Sequence, residues 1–146
     1  MSDPVLSATG NAGGGIPIEH NGRVFTLHAW TDKLRARYTR WAHRFVLDEL
    51  RKLKGELSPA EYDAQFAILT QDIVDGLYGF GQRRLARLTE TEQGVRALIA
   101  VLLNNDLYTD EEIDDFIVSK QAVIFQTLKA LNGVQGGGDG DEDPKA

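Results

Sequence analysis

The chain has 146 residues, sixteen of them Lys or Arg and twenty-two Asp or Glu, for a formal net charge of −6. That length suits one domain with a real core, and the lack of cysteine excludes disulfides, thiolate metal sites and a Cys nucleophile. No apolar run approaches the roughly 20 residues that span a bilayer, and Met1-Ser2-Asp3-Pro4 does not open a signal peptide, so the expectation is a soluble protein with no membrane partner.

Both ends read as disordered. Residues 1–15 are a Gly-rich arm, and residues 133–146 form an acidic tail around Gly136-Gly137-Gly138, with too little apolar surface to offset ordering entropy. The folded part is expected over residues 16–132, as a single, mainly α domain in which a short N-terminal β-hairpin precedes a compact bundle of four helices.

The hairpin comes first. Ile16 and Ile18 lie before Asn21-Gly22, and Val24, Phe25 and Leu27 lie after it. Asn-Gly suits the two positive-φ positions of a type I′ turn. Pro17 removes a ladder donor, so its strand should be an edge. The first helix begins after Thr31, an N-cap, with Asp32 at the positive helix end; its stripe is Leu34, Tyr38, Trp41, Phe45, Leu50 and Leu53, and Lys54-Gly55 ends it. The second opens at Ser58-Pro59-Ala60-Glu61, a capping box with Pro at the first helical position. Its stripe is Tyr62, Phe66, Leu69, Ile73 and Leu77, fraying near Gly76, Gly79 and Gly81. The third follows Thr89 or Thr91, with Thr89 and Glu92 as a capping box, and turns Val95, Leu98, Ile99, Leu102 and Leu103 inward. The fourth opens at Thr109-Asp110-Glu111-Glu112, carries Ile113, Phe116, Ile117, Ile124, Leu128 and Leu131, and closes at Asn132-Gly133.

Charge is segregated along the chain. Residues 23–54 hold nine basic and three acidic groups, whereas residues 56–81 hold five acids and no Lys or Arg. Residues 82–96 are again basic, with Arg83, Arg84, Arg87 and Arg96 against Glu90 and Glu92, and residues 97–131 carry six acids and two lysines. Alternation of this kind fits neighbouring segments whose fields cancel, or a basic face offered to an acidic partner.

Catalytic and ligand motifs fail on spacing. Gly76-Leu77-Tyr78-Gly79-Phe80-Gly81-Gln82-Arg83-Arg84 invites a phosphate reading, but it matches neither the Walker nor the dinucleotide pattern and reads better as a helix end. Asp106, Asp110, Glu111, Glu112, Asp114 and Asp115 suggest calcium, yet the sixth position from Asp106 is Glu111 where an EF-hand loop needs Gly. His20, His28 and His43 form no turn-spaced metal pair, and Ser7, Ser58 and Ser119 lack the setting of a nucleophile. The expectation is a protein that is not an enzyme, with no catalytic residue, no metal and no cofactor. Arg37, Arg40, Arg44 and Arg51 share one helical face that could meet phosphates, so a small nucleic-acid-binding regulator is an alternative, disfavoured by the acidic balance of the chain.

The order of these elements resembles a known family. The hairpin ends in Val24-Phe25-Thr26-Leu27; a long helix begins Thr31-Asp32-Lys33-Leu34 and runs through Arg40-Trp41. A second helix leads into Tyr78-Gly79-Phe80-Gly81; then come Leu88-Thr89-Glu90-Thr91, Gly94 and an apolar helix, and a last helix opens at Tyr108-Thr109-Asp110-Glu111-Glu112. Over about residues 16–131 this layout is similar to that of the tail assembly chaperones of tailed bacteriophages. The resemblance implies a non-enzymatic protein of the bacterial host cytoplasm that binds a phage tape measure protein during tail morphogenesis, and it allows a homo-oligomer. It also implies that Gly136-Gly137-Gly138 could mark a programmed frameshift. A structural or adaptor component of the phage particle is the alternative within the same setting. For a chaperone the natural mode is helix-in-groove binding, with Leu77, Tyr78 and Phe80 as apolar anchors and Arg83, Arg84 and Arg87 as a basic rim.

Overall fold

The computed structural model describes residues 15–104 and 107–136. The expected arm and tail fall almost wholly outside them, as does Asp106 of the acidic cluster. Two strands, β1 (Ile16–His20) and β2 (Arg23–Leu27), precede six helices: α1 (Asp32–Lys52), α2 (Pro59–Val74), α3 (Arg83–Leu88), α4 (Glu92–Leu103), α5 (Asp110–Ser119) and α6 (Gln121–Gly136). The chain is therefore mainly helical with an N-terminal hairpin, but the described residues carry six helices where the periodicity predicts four.

Two local events account for the difference. The expected last helix is cut at Lys120, where φ is −119° and ψ is 28°. The Lys120 amide still donates to the Phe116 carbonyl and the Ile124 amide to the Lys120 carbonyl, at 2.9 and 2.8 Å, so the break wastes little hydrogen bonding. The six-residue α3 lies in the stretch read as the frayed end of the second helix and the linker after it. At the far end, α6 continues through Asn132-Gly133 to Gly136 instead of closing there; a helical Gly costs only about 1 kcal/mol relative to Ala.

The chain divides into two compact units, Met1–Leu34 with Ile99–Ala146, and Arg35–Leu98. In the first unit the antiparallel register pairs Ile16 with Leu27, Ile18 with Phe25 and His20 with Arg23. Asn21 (φ 53°) and Gly22 (φ 80°) make the two-residue turn that register requires. Strand alternation puts Ile16, Ile18, Phe25 and Leu27 on the buried face and leaves Val24 exposed. Phe25 stacks on Phe116 of α5 at 4.3 Å and on Tyr108 at 4.5 Å. Ile99, Leu102, Leu103, Ile113, Ile124 and Leu131 are buried in the same unit. The His28 amide satisfies the Leu102 carbonyl at 2.8 Å, one of the acceptors that the end of α4 leaves open.

In the second unit Tyr38 is the buried centre. Its hydroxyl donates to the Gly94 carbonyl at 2.9 Å and its ring stacks on Trp41 at 5.3 Å. Burial pushes the Tyr38 phenol far above its ordinary value. Thr91, not Thr89, caps α4: its hydroxyl accepts from the Gly94 amide at 2.9 Å and donates to the Leu88 carbonyl at 2.7 Å. The expected Thr89–Glu92 box does not form, because Thr89 closes α3 and its hydroxyl donates to Ala86. Gly94 is required here, since a Cβ would lie 1.6 Å from the Leu88 carbonyl oxygen.

Candidate partner-binding surface

Helix α2 starts as its sequence dictates. The Ser58 hydroxyl accepts from the Glu61 amide at 3.1 Å, and the Glu61 carboxylate accepts from the Ser58 amide at 2.9 Å. Those bonds hold the Glu61 carboxyl below the usual carboxylate range, the backbone amide contributing most. The helix ends in a Schellman motif. The Gly76 amide donates to the Ile73 carbonyl and the Leu77 amide to the Asp72 carbonyl, both at 3.0 Å, with Gly76 at φ 79°. The Gly79 and Gln82 amides donate onward to the Gly76 and Gly79 carbonyls at 3.1 Å. These four amides thus serve turns, and the glycine run is a helix end and a connector rather than an anion cradle.

Helix α2 is only partly covered. None of its residues is buried. Of the stripe, Tyr62, Leu69 and Ile73 are half-buried and Phe66 is 37% exposed. Tyr62 and Phe66 stack on one another with centroids 6.2 Å apart, and the Lys54 ammonium sits 5.4 Å from the Tyr62 ring. Off the stripe, Ile68 and Val74 are 58% and 77% exposed. Apolar side chains left at a folded surface can mark an interaction site.

The turn after α2 carries the anchors read from the sequence. Leu77 and Tyr78 are half-buried, and the Arg84 guanidinium lies 5.7 Å from the Tyr78 ring while pairing with Asp72. Phe80 is 39% exposed, stands edge-on to Tyr38 at 6.2 Å and has Arg35 5.8 Å above its ring. Arg83 and Arg87 are exposed on α3. The structure thus joins Tyr78 to Arg84.

On α1, Arg40, Arg44 and Arg51 are exposed and Arg37 is half-buried. Arg51 pairs within the helix with Asp48 at 2.8 Å, and Lys52 with Glu49 at 2.7 Å. Trp41 stacks on Phe45 at 5.0 Å, along the helix rather than out from it.

In the first unit a polar cluster fastens the hairpin to α5. Buried His20 bonds Asp115 at 2.8 Å, Asn21 reaches the same carboxylate at 3.3 Å, and Arg23 pairs with Glu112 and lies 4.6 Å from the Tyr108 ring. The Tyr108 hydroxyl donates to the Val24 carbonyl at 2.8 Å. Glu112 also closes the Thr109 capping box; the Thr109 amide first and Arg23 second draw its carboxyl below the usual range. Part of the acidity of α5 therefore serves capping and hairpin attachment. His43 is half-buried, and desolvation lowers its pKa. Among the described residues, no three His, Asp or Glu side chains are grouped to hold a metal, and no helix is long and apolar enough to cross a membrane.

Comparison with protein-family models, with curated proteins and with solved structures finds no match to this chain.

Proposed function

We propose that this chain is a non-enzymatic assembly protein that shields an apolar helical segment of a client, docking it along α2 and the turn that follows. One observation carries the reading: α2 has a continuous apolar stripe and not one buried residue. Client anchors at helical spacing would meet Tyr62, Phe66, Leu69 and Ile73, with Leu77, Tyr78 and Phe80 extending the surface and Arg83, Arg84 and Arg87 rimming its end. Such binding consumes no nucleotide, and its free energy comes from apolar area withdrawn from water on both sides. In the layout resembling phage tail assembly chaperones, the client would be a tape measure protein, long, helical and prone to aggregate when uncovered.

Co-production with a tape measure protein tests this. The wild-type chain should raise the soluble yield of the client and co-elute with it, and Phe66→Ser/Ile73→Ser should do neither while melting like the wild type. Client solubility that is independent of both side chains refutes docking on α2. Mass spectrometry of finished particles separates a chaperone, which departs, from a structural component, which stays.

A further inference from the structure

Building on the docking role of α2, we infer that the segment it receives is a cationic amphipathic helix, an apolar stripe flanked by Lys or Arg. The charged residues of α2 itself are all acids, and the cations beside it stand at its two ends, Lys54 against the Tyr62 ring and Arg84 paired with Asp72. Glu61 and Asp63 stand in its first turns, Asp72 and Asp75 at its end, and Glu56 precedes it; no Lys or Arg occurs over residues 56–81. Of these, Asp72 is matched by Arg84. Among the described residues no cation forms an ion pair with Glu56, Glu61, Asp63 or Asp75, all of them exposed. The Glu61 carboxylate accepts a hydrogen bond from its cap residue and Asp75 accepts one from Gln71.

A partner that covers the stripe must bring its own flanks beside Glu61, Asp63 and Asp72, each next in the chain to a stripe residue. Acidic flanks would set like charges together at the edge of a drying apolar contact, where repulsion grows as water leaves. Lysines or arginines there complete the pairs and fix register, as the charged flanks of a coiled coil do. The same logic opposes two copies pairing α2 to α2. The 16-residue α2 is about 24 Å long. The matching client segment therefore needs about four turns, with apolar anchors repeating every three to four residues.

The test uses two synthetic peptides of about 20 residues with an identical Leu/Phe stripe, one with Lys and one with Glu flanks. Each is titrated into the full chain by fluorescence anisotropy at low and high salt. The Lys peptide should bind at least about tenfold tighter at low salt, since several exposed pairs each contribute a small factor. The gap should shrink at high salt and in Asp63→Asn/Asp75→Asn. Phe66→Ser/Ile73→Ser, which changes no charge, should abolish binding, with circular dichroism melting checking the fold of each variant. Equal affinity for the two peptides, still lost in the Phe66→Ser/Ile73→Ser variant, overturns the cationic partner and leaves docking on α2 intact. Binding of neither peptide overturns both. A chain that sediments as a dimer and becomes a monomer in the Phe66→Ser/Ile73→Ser variant makes a second copy the occupant and also overturns the inference.

Discussion

Replacing Gly94 with Ala should cost the second unit far more than the change of one methyl suggests. Inside a helix, Ala is favoured over Gly by about 1 kcal/mol, so propensity alone predicts stabilisation. The structure predicts the reverse. A Cβ on residue 94 would stand 1.6 Å from the Leu88 carbonyl oxygen and 2.5 Å from its carbon. Relief requires the end of α3 and the start of α4 to part by well over an ångström. That carbonyl accepts from both the Thr91 hydroxyl and the Thr91 amide, at 2.7 and 3.1 Å, and the Gly94 carbonyl accepts from Tyr38. Overpacking of this kind costs typically about 1–3 kcal/mol, and each hydrogen bond loosened adds about 1 kcal/mol. Against the propensity gain, the net expectation is a loss of about 2–4 kcal/mol. Urea unfolding followed by circular dichroism measures it. Gly55→Ala is the matched control, because a Cβ there meets nothing within 4 Å, and it should be neutral or slightly stabilising. A Gly94→Ala protein as stable as the Gly55→Ala protein would refute the close approach of α3 to α4.

Other outcomes follow from the same contacts. Tyr38→Phe should lose about 1 kcal/mol in the same urea assay, because it removes a buried donor while keeping the ring stack; no change would mean that the hydroxyl bond contributes nothing. The Glu112 carboxyl is held below its ordinary value in the folded chain, so the unfolded chain takes up the proton first as pH falls. Its stabilising contribution is full above the ordinary carboxylate range and is lost as pH falls through the lower folded value. Between about pH 7 and pH 3, Glu112→Gln should therefore show a shallower acid-side fall in urea midpoint than the wild type, and parallel curves would contradict the capping and Arg23 contacts. Ser58→Ala removes the α2 cap and should cost about 1 kcal/mol. Because no residue of α2 is fully buried, that loss should appear in amide exchange as faster opening of residues 59–74 ahead of the rest.

How far the sequence can be read depends on whether a feature is local. Asn21-Gly22, Ser58 with Glu61, and Thr109 with Glu112 each act over two to four residues, and the structure forms the turn and both capping boxes they spell. The break at Lys120 is silent in the pattern, since Ile113 and Phe116 before it and Ile124 and Leu131 after it keep helical spacing, and the broken helix buries the same face. Helix α3 is too short to show a period at all. Thr89 and Thr91 offer equivalent caps in sequence; the choice falls to Thr91 because Gly94 brings the Leu88 carbonyl within reach of its hydroxyl. The candidate surface shows the deepest limit. Periodicity reports that Tyr62, Phe66, Leu69 and Ile73 share a face, but not what covers it, and the structure leaves that face without a buried residue. The acids of α2 are visible in the sequence as a charge run; the exposure of Phe66 among them is visible only in the structure. Leu77, Tyr78 and Phe80 stand beside arginines in the sequence, and the structure brings Arg84 against the Tyr78 ring.

The most direct test of α2 as the client surface is amide hydrogen exchange of the full chain with and without saturating Lys-flanked peptide. Docking on the stripe predicts slower exchange concentrated over residues 59–77, absent in the Phe66→Ser/Ile73→Ser variant. Protection that appears only outside α2 and the turn after it, or none at a peptide concentration that saturates binding, would contradict the account.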